Sequence, residues 1–267
     1  MIAPPATAPR PRLRPIVMPA EHGGWSFIGA PILLGLLVAP SWIGAMVATA
    51  GLLMFLSRQP LKTGAKDLLQ KKRYPRTDWA LGIGGAELAV ALLLLGLSIA
   101  YSPRPLLPPI AVFLGVAAIQ FVYDSLGKGR NTLPEIVGAS AAGIIATIIA
   151  IAGGSSIPLA WLLAGILSLH CAVAIVYVGA RLDLAHKRPT SILAVWLVAL
   201  AATAIVAFFV SSSLFSWPLL ATFTLLAARA VWGVSRFRKE IKPHFIGIQE
   251  IGYTLLLISA VALTIQG

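Results

Sequence analysis

The chain has 267 residues, 58% of them hydrophobic and only 11% charged, with a formal net charge of +12. Soluble domains carry about 25% charged residues, so this composition excludes a disordered chain, a soluble globular enzyme and a coiled coil. The basic residues lie between long apolar runs, which argues against nucleic acid as a partner, and the single cysteine, Cys171, excludes an intrachain disulfide or a Cys-rich metal centre.

Residues 1–20, rich in Pro and Ala and carrying Arg10, Arg12 and Arg14, read as a basic cytosolic tail. No apolar core of secretory-signal length follows before Trp25. Residues 21–267 read as a single transmembrane helical domain. A helix needs about 20 apolar residues to cross the hydrocarbon, and runs near that length predict nine spans: 24–39, 42–57, 79–100, 107–123, 134–152, 158–179, 190–211, 214–233 and 246–265. The first two are short and the first contains Pro31, so this pair also fits a re-entrant hairpin. Small residues recur in every span, as in Gly138-Ala139-Ser140-Ala141-Ala142-Gly143, which suits close helix approach in lipid.

The connections alternate in character. Odd ones are short and nearly uncharged; the tail and the even ones, with Arg229 at the adjoining end of the eighth span, hold 20 of the 21 Lys and Arg, and Arg104 is on the other side. The positive-inside rule then places the N-terminus and the even loops in the cytosol and the C-terminus outside. The predicted fold class is all-α, a polytopic membrane helical bundle of about nine transmembrane helices.

Several polar clusters interrupt the apolar pattern. Glu21 and His22, followed by Gly23 and Gly24, open the first span. They suit a base, a metal ligand or a helix cap; an interfacial helix start with Trp25 in an aromatic belt is the plainer alternative. The basic loop from Arg58 to Arg76 follows the second span. Arg58 and Lys62, nearest the helix end, are candidates to grip phosphate, whereas Lys71, Lys72 and Arg73 suit topological anchoring at anionic head groups. The segment from Tyr123 through Lys128 and Arg130 is a flexible basic turn without P-loop spacing. Glu135, after Pro134, suits a helix start.

Tyr177, Arg181, Asp183, His186 and Lys187 crowd the end of the sixth span. Asp183 and His186 are neighbours if the helix continues; they suit a shared metal, or Asp183 pairs with Arg181 or Lys187. Glu87, His170 and Glu250 lie within spans, where ionisable groups are costly and face a cavity or a partner. Glu250 and Glu87 are candidates to pair with Arg229 or with each other's neighbours, and His170 reads as a hydrogen-bonded interior histidine.

The opening P-x-E-H-G-G-W-S-F, the P-x-L-L-G-L that follows, and R-x-P-L-K with a basic loop containing Asp67 resemble the YwiC-like family of bacterial membrane proteins. That resemblance implies the bacterial cytoplasmic membrane. A more distant pattern is similar to the UbiA-type intramembrane prenyltransferases. It comprises nine spans with cytosolic loops after the second, fourth and sixth, the first helix with Pro31 and Gly35, Tyr123 with its Gly/Lys/Arg turn, Pro134-Glu135, and Asp183 through Thr190. The UbiA likeness implies Mg²⁺ held by aspartates against an isoprenyl diphosphate, which leaves as an acceptor captures the prenyl carbon.

On that likeness Asp67 and Asp183 are the metal ligands and, with Glu21 and His22, the catalytic candidates. Arg58, Lys62, Tyr123, Lys128, Arg130, Tyr177, Arg181 and Lys187 are the substrate-binding ones. The pattern departs at two places: Ser57-Arg58-Gln59-Pro60-Leu61 stands where the first Asp-rich motif belongs, and Lys187 stands where a second Asp follows Asp183. Arg58 and Lys62 are therefore expected to replace metal charge. The expected partners are membrane lipids and an isoprenoid or other anionic amphiphile. The competing reading is a transporter or lipid-binding protein without covalent chemistry.

Overall fold

The computed structural model describes residues 24–128, 131–238 and 243–266. Among them are nine helices and no strand: α1 (Gly24–Val38), α2 (Trp42–Leu69), α3 (Pro75–Tyr101), α4 (Leu107–Ser125), α5 (Thr132–Ala152), α6 (Ile157–Ala185), α7 (Ile192–Ser211), α8 (Trp217–Val234) and α9 (Pro243–Gln266). Local chemistry sets their starts. The Ser41 and Ser191 hydroxyls accept from Gly44 N at 2.9 Å and Ala194 N at 3.2 Å, satisfying backbone donors that a helix start leaves open. Prolines occupy the first turns of α3, α4, α6 and α8, where their missing N–H costs nothing.

Two helices outrun their apolar segments. The basic segment after Arg58, expected as a loop, is helical to Leu69 and passes through Pro60. Likewise α6 continues to Ala185. A helix leaving the apolar layer keeps its backbone hydrogen bonds while its side chains turn polar, so the apolar run ends before the helix does.

The helices alternate in direction, as the contacts across them show. Gly35 of α1 meets Ile149 of α5, and Ala39 meets Gly153, so α1 runs the length of α5 in parallel. Gly44 and Gly51 of α2 meet Ile149 and Ile145 in the opposite sense. The first two helices are therefore antiparallel to each other along α5. Thr147 donates to Ala160 O at 2.8 Å between antiparallel α5 and α6, and Ser216 and Thr264 pair at 2.7 Å between antiparallel α8 and α9. One end of the bundle thus gathers the starts of the odd-numbered helices and the ends of the even-numbered ones; we call it the basic end.

α5 lies at the centre, buried almost continuously from Gly143 to Ala152 and packed by α1, α2, α4 and α6. Its isoleucines enter notches that Gly35, Gly44 and Gly51 leave in α1 and α2. In lipid, such backbone proximity rather than water expulsion drives helix association. The outer faces are apolar: Leu93, Leu197, Phe208 and Leu263 are exposed, as expected for surfaces that meet lipid rather than water. Seven helices, α3 through α9, are long and apolar enough to cross a membrane. α1, with 15 residues, rises about 22 Å. Exposed tryptophans mark both ends, Trp25, Trp79 and Trp232 at the basic end and Trp42 and Trp217 at the other, the arrangement of two interfacial belts.

Candidate functional site

Between α1, α5, α6 and α9 lies a cavity of about 210 Å³. It exists because the four helices turn small residues toward one another: Ala30, Ala139, Gly143, Ala174, Gly179 and Gly247 line it. Ser26, Glu135 and Leu182 line it at the basic end, and Gly143 and Leu167 line it further in. From Leu182 to Leu167 along α6 the rise is about 22 Å, so the cavity reaches the middle of the bundle. The beginnings of α1, α5 and α9 contribute lining residues at the basic end.

A polar group closes the inner side. His170 and Glu250 both line the cavity. The His170 ring, 4% exposed, bonds Thr254 Oγ1 through Nε2 at 3.0 Å, and Thr254 donates its hydroxyl proton to Glu250 O at 2.8 Å. Behind Glu250, Arg229 Nη2 donates to Oε1 at 2.5 Å. The Arg229 guanidinium lies between the rings of Tyr177, at 4.1 Å, and Tyr253, at 4.4 Å. Removing two charges from solvent is costly; the short hydrogen bond and the cation–π attraction of the flanking rings offset part of it, while Glu250 Oε2 and Arg229 Nε and Nη1 are buried without partners. The pairing of Glu250 with Arg229 fulfils the sequence expectation. Glu87 takes no part in it: its Oε2 is buried without a partner.

The sequence-selected residues fall into separate groups. Arg58 and Lys62 of α2 both reach Asp124 of α4, Arg58 through two hydrogen bonds, the second at 3.0 Å, and Lys62 at 3.8 Å. The Asp124 side chain is 1% exposed and that of Arg58 37%. Gln120, with its amide oriented to satisfy both neighbours, donates to Pro134 O and accepts from Arg58 Nη2 at 3.2 Å. Tyr123 and Lys128 are exposed nearby in sequence.

Asp67 is buried at the end of α2. It accepts from Arg76 Nη2 at 3.1 Å and from Thr77 Oγ1 at 2.8 Å. The Arg76 hydrogen bond holds the Asp67 carboxyl below the usual carboxylate range, against desolvation, which pushes the other way. Tyr177 and Arg181 turn toward α8, where Tyr177 packs on Gly233 and Arg181 donates to Gly233 O at 2.6 Å.

Asp183 is half-buried, and its carboxyl has no hydrogen bond or ion pair among the described residues, so neither Arg181 nor Lys187 pairs with it. Its neighbour His186 instead places Nδ1 at 2.7 Å from Leu182 O. Lys187 is exposed at the helix end with φ 56°. Glu21, His22 and Arg130 lie outside the described residues. None of the described metal, catalytic or substrate-binding candidates from the sequence lines the cavity, whereas Glu135, His170 and Glu250, singled out for other reasons, do. Among the described residues no group of three or more His, Cys, Asp or Glu is placed to hold a metal ion.

Sequence reasoning missed Asp124 as the partner of both basic candidates, and Ser26 and Thr254 as cavity residues. An acid beside Tyr123, at the end of a span where a basic turn begins, was the available signal for the first. Residues 18–150 match the family model described as YwiC-like protein. No curated protein and no solved structure matches the chain.

Proposed function

The chain belongs to the YwiC-like family, matched over residues 18–150, and from that premise we propose that it is a multi-pass protein of the bacterial inner membrane that binds an anionic amphiphile between its helices. The ligand class is an isoprenyl diphosphate or a related lipid. In this reading the basic end and the N-terminus face the cytosol and the C-terminus lies outside. The apolar part of the ligand enters the cavity among α1, α5, α6 and α9. The head stays at the mouth, where the starts of α1 and α9 present N–H groups and positive dipole ends. Glu135 occupies the first turn of α5 and offsets that helix's dipole. Arg58, Lys62 and Lys128, at the same end, raise the local concentration of anions. The observation that carries the proposal is the largely apolar cavity that runs inward from the basic end, where residues of three helix starts line it.

A transferase version adds Mg²⁺, held by Asp67 and Asp183 with phosphate oxygens completing its shell. That version requires Arg76 to release Asp67, because both carboxylate oxygens are engaged. Glu21 and His22 remain its acid–base candidates, and Arg130, Tyr123, Tyr177, Arg181 and Lys187 its head-group candidates. The second reading, a transporter, draws on the intramembrane Arg229–Glu250 pair beside the cavity.

Thermal unfolding of the purified protein in nanodiscs, with and without farnesyl diphosphate, tests binding. Farnesyl diphosphate should raise the midpoint and inorganic diphosphate should not. At a ligand concentration 100 times Kd the stabilisation is about 2.7 kcal/mol. Ala174→Phe, which fills the cavity, should abolish the shift. No stabilisation, or one that Ala174→Phe leaves intact, contradicts the proposal. Release of diphosphate only with Mg²⁺ would support the transferase version, and solute flux lost in a Glu250→Gln protein that still gives a cooperative melting transition would support the transporter.

A further inference from the structure

Hydrogen-bond accounting specifies the protonation of His170. Thr254 has one hydroxyl proton, and it goes to Glu250 O. In its contact with His170 the Thr254 oxygen is therefore the acceptor, so His170 Nε2 carries the proton. A second proton on the ring would create a buried N–H with no acceptor among the described residues. His170 is thus neutral, and Nδ1 presents a bare lone pair. That atom is buried without a partner, and so is Glu250 Oε2. Both residues line the same cavity.

Two unsatisfied acceptors buried in the wall of one cavity call for a hydrogen-bond donor; the unpartnered donors of the same buried group, Arg229 Nε and Nη1, belong to a residue that does not line the cavity. The donor's charge follows from the surroundings. Arg229 already neutralises Glu250 and is held there by two aromatic rings, so a second cation would gain little attraction and meet repulsion. An anion would face the Glu250 carboxylate. A neutral O–H meets neither penalty. Size is limited as well. The cavity holds about 210 Å³, while one of about 150 Å³ accommodates benzene, so it takes the end of an isoprenoid chain or a ring system, one occupant at a time.

We propose that the inner end of this cavity is a receptor for a neutral hydroxyl compound with an apolar body, whose one O–H proton goes to His170 Nδ1. Phenols are the strongest donors of that class. The inference rests on the cavity being a ligand chamber, as in the proposed function, but not on the anionic head at its mouth.

The test uses the full chain in nanodiscs and three probes of similar shape: 2-naphthol, 2-methoxynaphthalene and naphthalene, each corrected for partition into empty nanodiscs. 2-Naphthol should bind about tenfold more tightly than 2-methoxynaphthalene, the range expected when a buried acceptor loses its donor. In protein labelled with ¹⁵N-histidine, 2-naphthol alone should move the Nδ1 resonance of His170. That resonance is assigned by its absence in His170→Gln or, should that variant not fold, by its perturbation in Thr254→Val. Equal affinity for the naphthol and its methyl ether, with an unmoved resonance, overturns this inference and leaves the apolar chamber standing. Binding of none of the three overturns the chamber as well.

Discussion

Asp124 compensates two cations from a single buried position, since Arg58 and Lys62 both terminate on it. Asp124→Asn keeps the shape but leaves a guanidinium and an ammonium facing a neutral amide. The loss should be about 1–3 kcal/mol in chemical unfolding, less than the ~3–5 kcal/mol of a fully buried broken pair, because Arg58 is 37% exposed. The Arg229–Glu250 pair is more enclosed, with side chains 10% and 14% exposed. Glu250→Gln should therefore lie nearer the upper figure, and a double-mutant cycle with Arg229→Met should show strong coupling.

Asp67 adds a pH dependence of definite sign. Its folded pKa lies below the ordinary value of 3.8, so its contribution is fully present above about pH 4 and is lost as the pH falls through the lowered value. Melting curves from pH 3 to 7 should show an acid-side decline that is shallower in Asp67→Asn.

Among the elements, the close approaches are the sensitive points. A Cβ at Gly153 would land on the Ala39 carbonyl, where backbone cannot yield cheaply, whereas one at Gly165 meets nothing. Gly153→Ala should destabilise by about 1–3 kcal/mol, and Gly165→Ala should leave the thermal midpoint unchanged or slightly raised. α2 and α3 interlock reciprocally, Leu81 filling the space at Gly64 and Leu61 that at Gly84, so this hairpin should be the last part to lose hydrogen-exchange protection. Most helices were readable from the sequence, since an apolar run of bilayer length has few alternatives. α4 and α5 begin and end within two residues of the expected spans. The polar extensions of α2 and α6 were not readable, because charge after an apolar run looks the same in a loop and in a helix emerging from lipid.

At the scale of the whole molecule, charge asymmetry and alternating direction agree. All the described even-numbered connections lie at the basic end, and Arg104 lies at the other. The cavity is a property of this scale only. Its lining comes from α1, α5, α6 and α9, of which only α5 and α6 are consecutive, and nothing in the local pattern around Ala139, Gly179 or Gly247 says that they face one another. His170 and Glu250 stood out singly as ionisable groups within spans; their presence on one cavity wall required the fold. The basic residues chosen from the sequence share an end of the molecule but not a pocket, because Asp124 and Asp67 draw Arg58, Lys62 and Arg76 aside.

Photocrosslinking in nanodiscs with a farnesyl diphosphate analogue carrying a diazirine on its terminal isoprene, followed by peptide mapping, addresses the cavity most directly. Adducts should fall on α5 and α6 between Ala139 and Ala174, compete with unlabelled farnesyl diphosphate, and disappear in Ala174→Phe. Adducts confined to lipid-facing residues such as Leu93, Leu197 or Phe208, without competition, would contradict binding between the helices.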